Sequence, residues 1–216
     1  MKKKEFQMRV IAGSARSLPL RTVAGMQTRP TTDRIKETLF NILAPLIPGC
    51  RFLDLYAGSG AIGIEALSRG ASSAAFVDSS RQAVTVIRAN LNFTHLADKG
   101  RVIAGDVVRT VIGMDGERPF GVIFMDPPYD KGLEMETLRA LSGSSIADDQ
   151  TLIVVEASLE TDFSEAEALG YRIERVKEYG KKSKHVFLKK YAAEPKAVPE
   201  TMGSTDEKSC GLSGKL

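Results

Sequence analysis

The sequence predicts an α/β fold: a mostly parallel sheet of seven strands that ends in an antiparallel edge pair, preceded by a small hairpin-and-helix extension. Three observations predict it. Five short apolar runs, Arg51 to Leu55, Ala74 to Val77, Arg101 to Ala104, Val122 to Met125 and Thr151 to Val155, are continuous, as in strands covered on both faces. Helix-like stretches separate them, clearest from Ser80 to Asn92, where Val84, Ile87 and Leu91 share a face. The last two strand-like runs, Tyr171 to Lys177 and His185 to Lys190, follow one another without a helix between them, which suits antiparallel partners.

The elements divide the chain into three parts. Residues 1–45 read as an extension in which Met8 to Ala12 and Leu20 to Val23 form a hairpin-like lead-in. Thr31, Thr32 and Asp33 then supply helix-start chemistry, and Ile35, Leu39, Ile42 and Leu43 line one helix face until Pro45 ends it. Residues 46–191 form the main domain. Residues 192–216 turn to Glu, Pro, Gly, Ser, Thr and Lys, too polar to anchor on a core, and are expected to be a mobile tail.

At 216 residues the chain can bury a substantial core. Its 43% hydrophobic and 26% charged content excludes a wholly disordered chain and a fibre. No apolar run approaches the roughly 18 residues of a membrane span. The lysines after Met1 lead into Glu5, Phe6 and Gln7 instead of an apolar signal segment, so a cytoplasmic location is expected. Cys50 and Cys210 have no further Cys or His at ligand spacing, so no metal site and no disulfide framework are expected. The net charge of +3 hides an uneven distribution. Residues 1–36 carry nine basic side chains against two acidic ones, a net of +7, which leaves −4 for the remainder. Arg9, Arg16, Arg21, Arg29 and Arg34 thus make a basic arm suited to a polyanion, with a merely solubilising arm as the competing reading.

In open α/β sheets, ligands bind beyond the carboxyl ends of the strands. Acids stand at or just after all five apolar runs: Asp54, Asp78, Asp106, Asp126 and Glu156. For Glu156 the preferred reading is a cap on a following helix. The first run leads into Asp54-Leu55-Tyr56-Ala57-Gly58-Ser59-Gly60-Ala61-Ile62-Gly63, a glycine turn that lets backbone amides approach a ligand at a helix start. Asp78 lies 20 residues after Gly58, where its carboxylate can take ribose hydroxyls. An acid at the loop mouth repels phosphate and attracts a cation, which favours S-adenosylmethionine over NAD. Asp54, Tyr56, Gly58, Gly60, Asp78 and Asp106 are therefore the expected cofactor residues, Asp106 toward the adenine amino group.

The most specific element is Asp126-Pro127-Pro128-Tyr129. An exocyclic amino group is a poor nucleophile because its lone pair delocalises into the ring. Hydrogen bonds to the Asp126 carboxylate and the Pro127 carbonyl localise that lone pair, the prolines stiffen the loop, and Tyr129 can stack on a base taken out of its helix. Asp126, Pro127 and Tyr129 are the expected catalytic residues. With a reference pKa of about 3.9, Asp126 is expected to be ionised at neutral pH.

At these residues the chain resembles the class I, Rossmann-like S-adenosylmethionine-dependent methyltransferases, and more narrowly the RsmD family of 16S rRNA guanine-N2 methyltransferases. The resemblance runs from about Met8 to Lys190. It rests on Arg9-Val10-Ile11-Ala12-Gly13-Ser14, Arg29-Pro30-Thr31-Thr32-Asp33-Arg34, the glycine turn, Glu65-Ala66-Leu67-Ser68-Arg69-Gly70-Ala71 and Asp126-Pro127-Pro128-Tyr129-Asp130-Lys131-Gly132. It implies methylation of one guanine in 16S rRNA on an assembling small subunit, by a monomer in the cytoplasm. Two departures stand out: Asp78 where the family often has Glu, and Lys181 to His185 where it has a short polar turn. His185 is expected on the surface.

Overall fold

The computed structural model describes residues 8–23, 33–129 and 131–191. In chain order the elements are α1 (Asp33–Leu43), β1 (Arg51–Leu55), α2 (Ala61–Ser68), β2 (Ser73–Asp78), α3 (Arg81–Phe93), β3 (Gly100–Ala104), α4 (Val107–Gly113), β4 (Val122–Met125), α5 (Leu133–Ser142), β5 (Leu152–Ser158), β6 (Tyr171–Tyr179) and β7 (Ser183–Lys190). The strands form one seven-stranded sheet in the order β3-β2-β1-β4-β5-β7-β6. Pairing is parallel from β3 across to β5, and antiparallel between β5 and β7 and between β7 and β6. The order reverses direction between β1 and β4, and that switch opens the crevice in which such sheets bind ligands.

Alternate side chains of the central strands serve two cores. Phe52, Phe76, Phe124 and Val154 pack with residues of α1, α2 and α3, including Leu39, Phe40, Ile64 and Ile87. Leu53, Leu55, Val77, Ile123, Met125 and Val155 pack on the other face with Val107, Val111, Leu138 and Leu141 of α4 and α5. A sheet covered on both sides needs the unbroken apolar runs seen in the sequence. Helix α2 lies so near the sheet that a Cβ on Gly63 would come within 2.3 Å of the Phe76 ring. The outer strand β6 is exposed along Arg172 to Glu178 and irregular between Ile173 and Arg175.

The N-terminal segment lies across α2 and α3, and all eight residues of α2 are buried. Glu65 of α2 accepts from the amides of Ile11 (2.7 Å) and Ala12 (3.0 Å) and pairs with Lys36 at 3.1 Å and Arg69 at 2.8 Å. Lys36 and Glu65 are both sealed from water, so the helix face expected to be apolar carries a buried cation instead. Ser68 accepts from the Ala15 amide and donates to the Ala12 carbonyl. Asn90 of α3 accepts from the Arg21 amide and donates to the carbonyls of Arg21 and Ser59. The expected second run, Leu20 to Val23, is not a strand. The two segments still meet as a short antiparallel pair, with an Arg9–Pro19 bridge, the Leu20 amide donating to the Met8 carbonyl at 2.7 Å and the Val10 amide to the Leu18 carbonyl at 3.0 Å, while the Arg21 backbone bonds to Asn90. Thr31, Thr32 and the tail from Ala192 lie outside the described residues.

Removing one partner of a buried ion pair strands the other charge at a cost of about 3–5 kcal/mol. Glu65→Ala is expected to lower stability by about that amount in urea unfolding, and to expose segment 8–23 to limited proteolysis before the main domain.

Candidate active site

Parallel pairing of β1 with β4 sets Leu55 opposite Met125, and the Asp126 amide donates to the Leu55 carbonyl at 3.4 Å. The Asp126-Pro127-Pro128-Tyr129 loop therefore leaves the sheet beside the glycine turn. The turn itself needs left-handed backbone at Tyr56, Gly58 and Gly60, with φ of 58°, 55° and 76°. Gly60 is the N-cap of α2. The Asp78 carboxylate spans the loop, accepting from the Gly58 amide and the Ser80 amide, each at 2.8 Å. Asp54 is buried at the base of the turn and accepts from the Gly63 amide at 2.8 Å.

Asp54, Gly58, Gly60, Asp78, Asp126, Pro127 and Tyr129 are thus gathered at the carboxyl ends of β1, β2 and β4. Tyr56 joins them through its backbone, but its hydroxyl turns to Thr137 of α5 at 2.9 Å. Asp106 is exposed and caps α4, accepting from the Arg109 amide at 3.0 Å, while the neighbouring Gly105 amide donates to the Asp78 carbonyl. Its placement beside β2 is compatible with a second role on a ligand.

Burial, with Asp78 adding repulsion, pushes the Asp54 carboxyl up to about 8, against the bond from Gly63. Burial also drives Asp126 well above the ordinary carboxylate range, reinforced by Glu156, Asp54 and Glu134. Desolvation and like charges thus oppose ionisation of Asp126, which was expected to behave as an ordinary carboxylate. Glu134, at the start of α5, was not anticipated. It is 2% exposed, and its Oε1 has no hydrogen-bond partner. Its position in a first helical turn reads equally well as favourable dipole placement, so its sequence position carried no distinct signal. No cluster able to hold a metal ion occurs among the described residues.

Two expectations about the far side of the site are overturned. Glu156 caps no helix: β5 runs on to Ser158, and Glu156 stands within it opposite His185 of β7. His185 is fully buried, because the β5–β7 pairing turns it inward, with its Nε2 3.1 Å from Glu156 Oε2 and its Nδ1 3.1 Å from the Tyr179 hydroxyl. Of the basic arm, Arg9, Arg16, Arg21 and Arg34 are exposed, Arg9 beside Asp33 at 2.8 Å. Arg29 lies outside the described residues.

This sheet order, with a glycine turn after β1 and an acid-Pro-Pro-aromatic loop after β4, defines a Rossmann-like methyltransferase. Comparison with known proteins agrees. A family model described as conserved hypothetical protein 95 matches residues 8–188. The chain is 39% identical over 159 residues to YlbH of Bacillus subtilis, covering 73% of this chain and 86% of that one. It is 40% identical over 156 residues to ribosomal RNA small subunit methyltransferase D of Escherichia coli, covering 71% and 76%. The solved structure of the yhhF protein of Escherichia coli superposes with a TM-score of 0.74 at 33% identity, over 86% of this chain and 99% of that one. The chain belongs to the RsmD family of methyltransferases.

A buried acid whose folded pKa is raised holds its proton over a range where the unfolded chain has released it, so stability falls as pH rises. For Asp54 that window runs from its ordinary 3.8 to about 8. Thermal unfolding of the unliganded protein is expected to show a falling midpoint between pH 5 and about 8, and Asp54→Asn is expected to flatten the slope.

Proposed function

We propose that this protein uses S-adenosylmethionine to methylate the exocyclic N2 amino group of a specific guanine in 16S rRNA, acting as a monomer in the cytoplasm on an assembling small subunit. One observation carries the reading: the Asp126 carboxylate and the Pro127 carbonyl leave β4 directly alongside the glycine turn of β1. Two acceptors at that place can grip an NH2 group next to a donor seated in the turn. The names of the similar proteins, which specify rRNA and the small ribosomal subunit, support the substrate class.

The cofactor fits the residues present. S-adenosylmethionine, when bound, supplies an electrophilic methyl on a sulfonium, together with an ammonium group. Asp54 and Glu134 are the acids that face such positive charge, and the Glu134 Oε1 is an acceptor awaiting a donor. Asp78 already holds the loop closed through Gly58 and has lone pairs left for ribose hydroxyls. Asp106 is assigned to the adenine edge. A neighbouring cation lowers carboxyl pKa values, so Asp126 becomes an acceptor when the donor is seated. It then orients the amino nitrogen with Pro127 and takes up the proton that nitrogen loses. Alignment of this kind supplies roughly 7–11 kcal/mol of barrier reduction without a strong base. Tyr129, 38% exposed at the loop tip, offers its ring to the extruded base.

Asp126→Ala is expected to retain S-adenosylhomocysteine binding and to lose methyl transfer, by about 100-fold or more, to small-subunit particles lacking the modification. Mapping of the labelled nucleotide tests the guanine; a label on adenine, DNA or protein refutes the substrate. Titration calorimetry at pH 7 in buffers of different ionisation enthalpy is expected to show proton release when S-adenosylmethionine binds, because seated positive charge ionises Asp54 and Asp126. Affinity for RNA is expected to fall steeply with salt, with a log–log slope near −3 for four arginine–phosphate contacts.

A further inference from the structure

Segment 8–23 and α3 meet along a groove that belongs to no part of the site described above. It encloses about 140 Å³ and is lined by Pro19, Leu20 and Arg21 of the segment and by Asn90 and Phe93 of α3. Asn90 builds the joint. Its side chain, 1% exposed, accepts from the Arg21 amide at 2.9 Å and donates to the Arg21 carbonyl at 3.0 Å. Both backbone groups of Arg21 are thereby held, while the residue itself stays exposed at the groove. Phe93 follows Asn90 by three residues and so shares its helix face. It is 51% exposed, more than Tyr129 at the active-site loop.

A single exposed ring is ordinary on a protein surface, and the charge around this one decides what it suits. Segment 8–23 carries Arg9, Arg16 and Arg21 and no acidic residue, and α3 carries Arg81 and Arg88 and no acidic residue. All five arginines are exposed, and among the described residues only Arg9 of the five forms an ion pair, with Asp33. The sequence beyond residue 36 sums to −4, so α3 stands apart from the rest of the main domain. A partly apolar slot between two cationic elements fits a flat ring that carries a phosphate. A base in a single strand is such a group: its face stacks on an aromatic side chain, and its phosphate meets an arginine. Asn90 has spent both Nδ2 hydrogens on the carbonyls of Arg21 and Ser59, so it has no donor left with which to read a base edge. The slot therefore takes a base without regard to its identity.

We propose that this groove is a second RNA-contact site, in which Phe93 stacks on an unpaired base and Arg21 meets its phosphate, apart from the loop that receives the target base. The proposal rests on the reading that RNA is the substrate. The methyl donor has no part in it.

The test is binding of short single-stranded RNA oligonucleotides to the full-length protein, followed by fluorescence anisotropy. Phe93→Leu keeps an apolar side chain of similar bulk and loses the flat face, and is expected to weaken binding about tenfold, with Phe93→Tyr within about twofold of the wild type. Arg21→Ala is expected to lower the log–log salt slope by about 0.7, whereas Phe93→Leu leaves the slope unchanged, which separates stacking from charge. Oligonucleotides of adenine and of uracil are expected to lose affinity alike in Phe93→Leu. Thermal midpoints are expected to hold in all three variants, because both side chains lie at the surface. Equal affinity of the wild type and Phe93→Leu overturns the proposal. So does a wild type that sediments as a dimer and a Phe93→Leu variant that sediments as a monomer, which assigns the groove to a second copy. Failure here and failure of the proposed function are distinguishable. A methylated guanine together with unchanged RNA affinity in Phe93→Leu removes the groove alone. Phe93-dependent affinity in a protein whose label falls on another nucleotide leaves the groove standing and removes the guanine.

Discussion

Several carboxylates crowd one end of this sheet, away from water and close enough to repel one another. Asp78 adds to the cost of ionising Asp54, Glu156, Asp54 and Glu134 add to that of Asp126, and the Glu134 Oε1 has no hydrogen-bond partner among the described residues. Buried like charge is normally selected against, so a fold that keeps it has a use for the imbalance. A positively charged ligand would relieve that repulsion and a phosphate would add to it.

The glycine turn is the second half of the same device. Asp78 closes it from β2, Gly63 lets α2 sit against Phe76, and Asn90 ties Ser59 to the N-terminal segment. That segment is no loose appendage. Glu65, Ser68 and Asn90 hold it by its backbone, and its arginine side chains are exposed, Arg9 paired with Asp33. The exposed arginines are therefore carried at a set position relative to the turn.

Most of the sheet was legible because strands buried on both faces must be apolar throughout, and the runs at Arg51 to Leu55 and Val122 to Met125 coincide with β1 and β4. The glycine turn and the loop after β4 were legible for a different reason: their geometry demands particular residue types. What escaped reading depended on partners distant in the chain. Lys36 looks like a solvated helix residue until Glu65 is folded against it, and His185 looks like an edge residue until β7 is set beside β5. Glu156 was misjudged because a strand's end is set by its neighbour's length, here β7, and not by its own composition. The Leu20 to Val23 run has strand composition, yet only Leu20 bonds back to Met8, and the Arg21 backbone is taken by the Asn90 side chain.

The sheet stops growing at β6. Arg172, Glu174, Arg175, Lys177 and Glu178 stud both faces of that outermost strand, and its register slips between Ile173 and Arg175. A second molecule trying to extend the ladder would have to strip water from alternating charges and match a kinked backbone, so the protein carries its own deterrent to fibril growth.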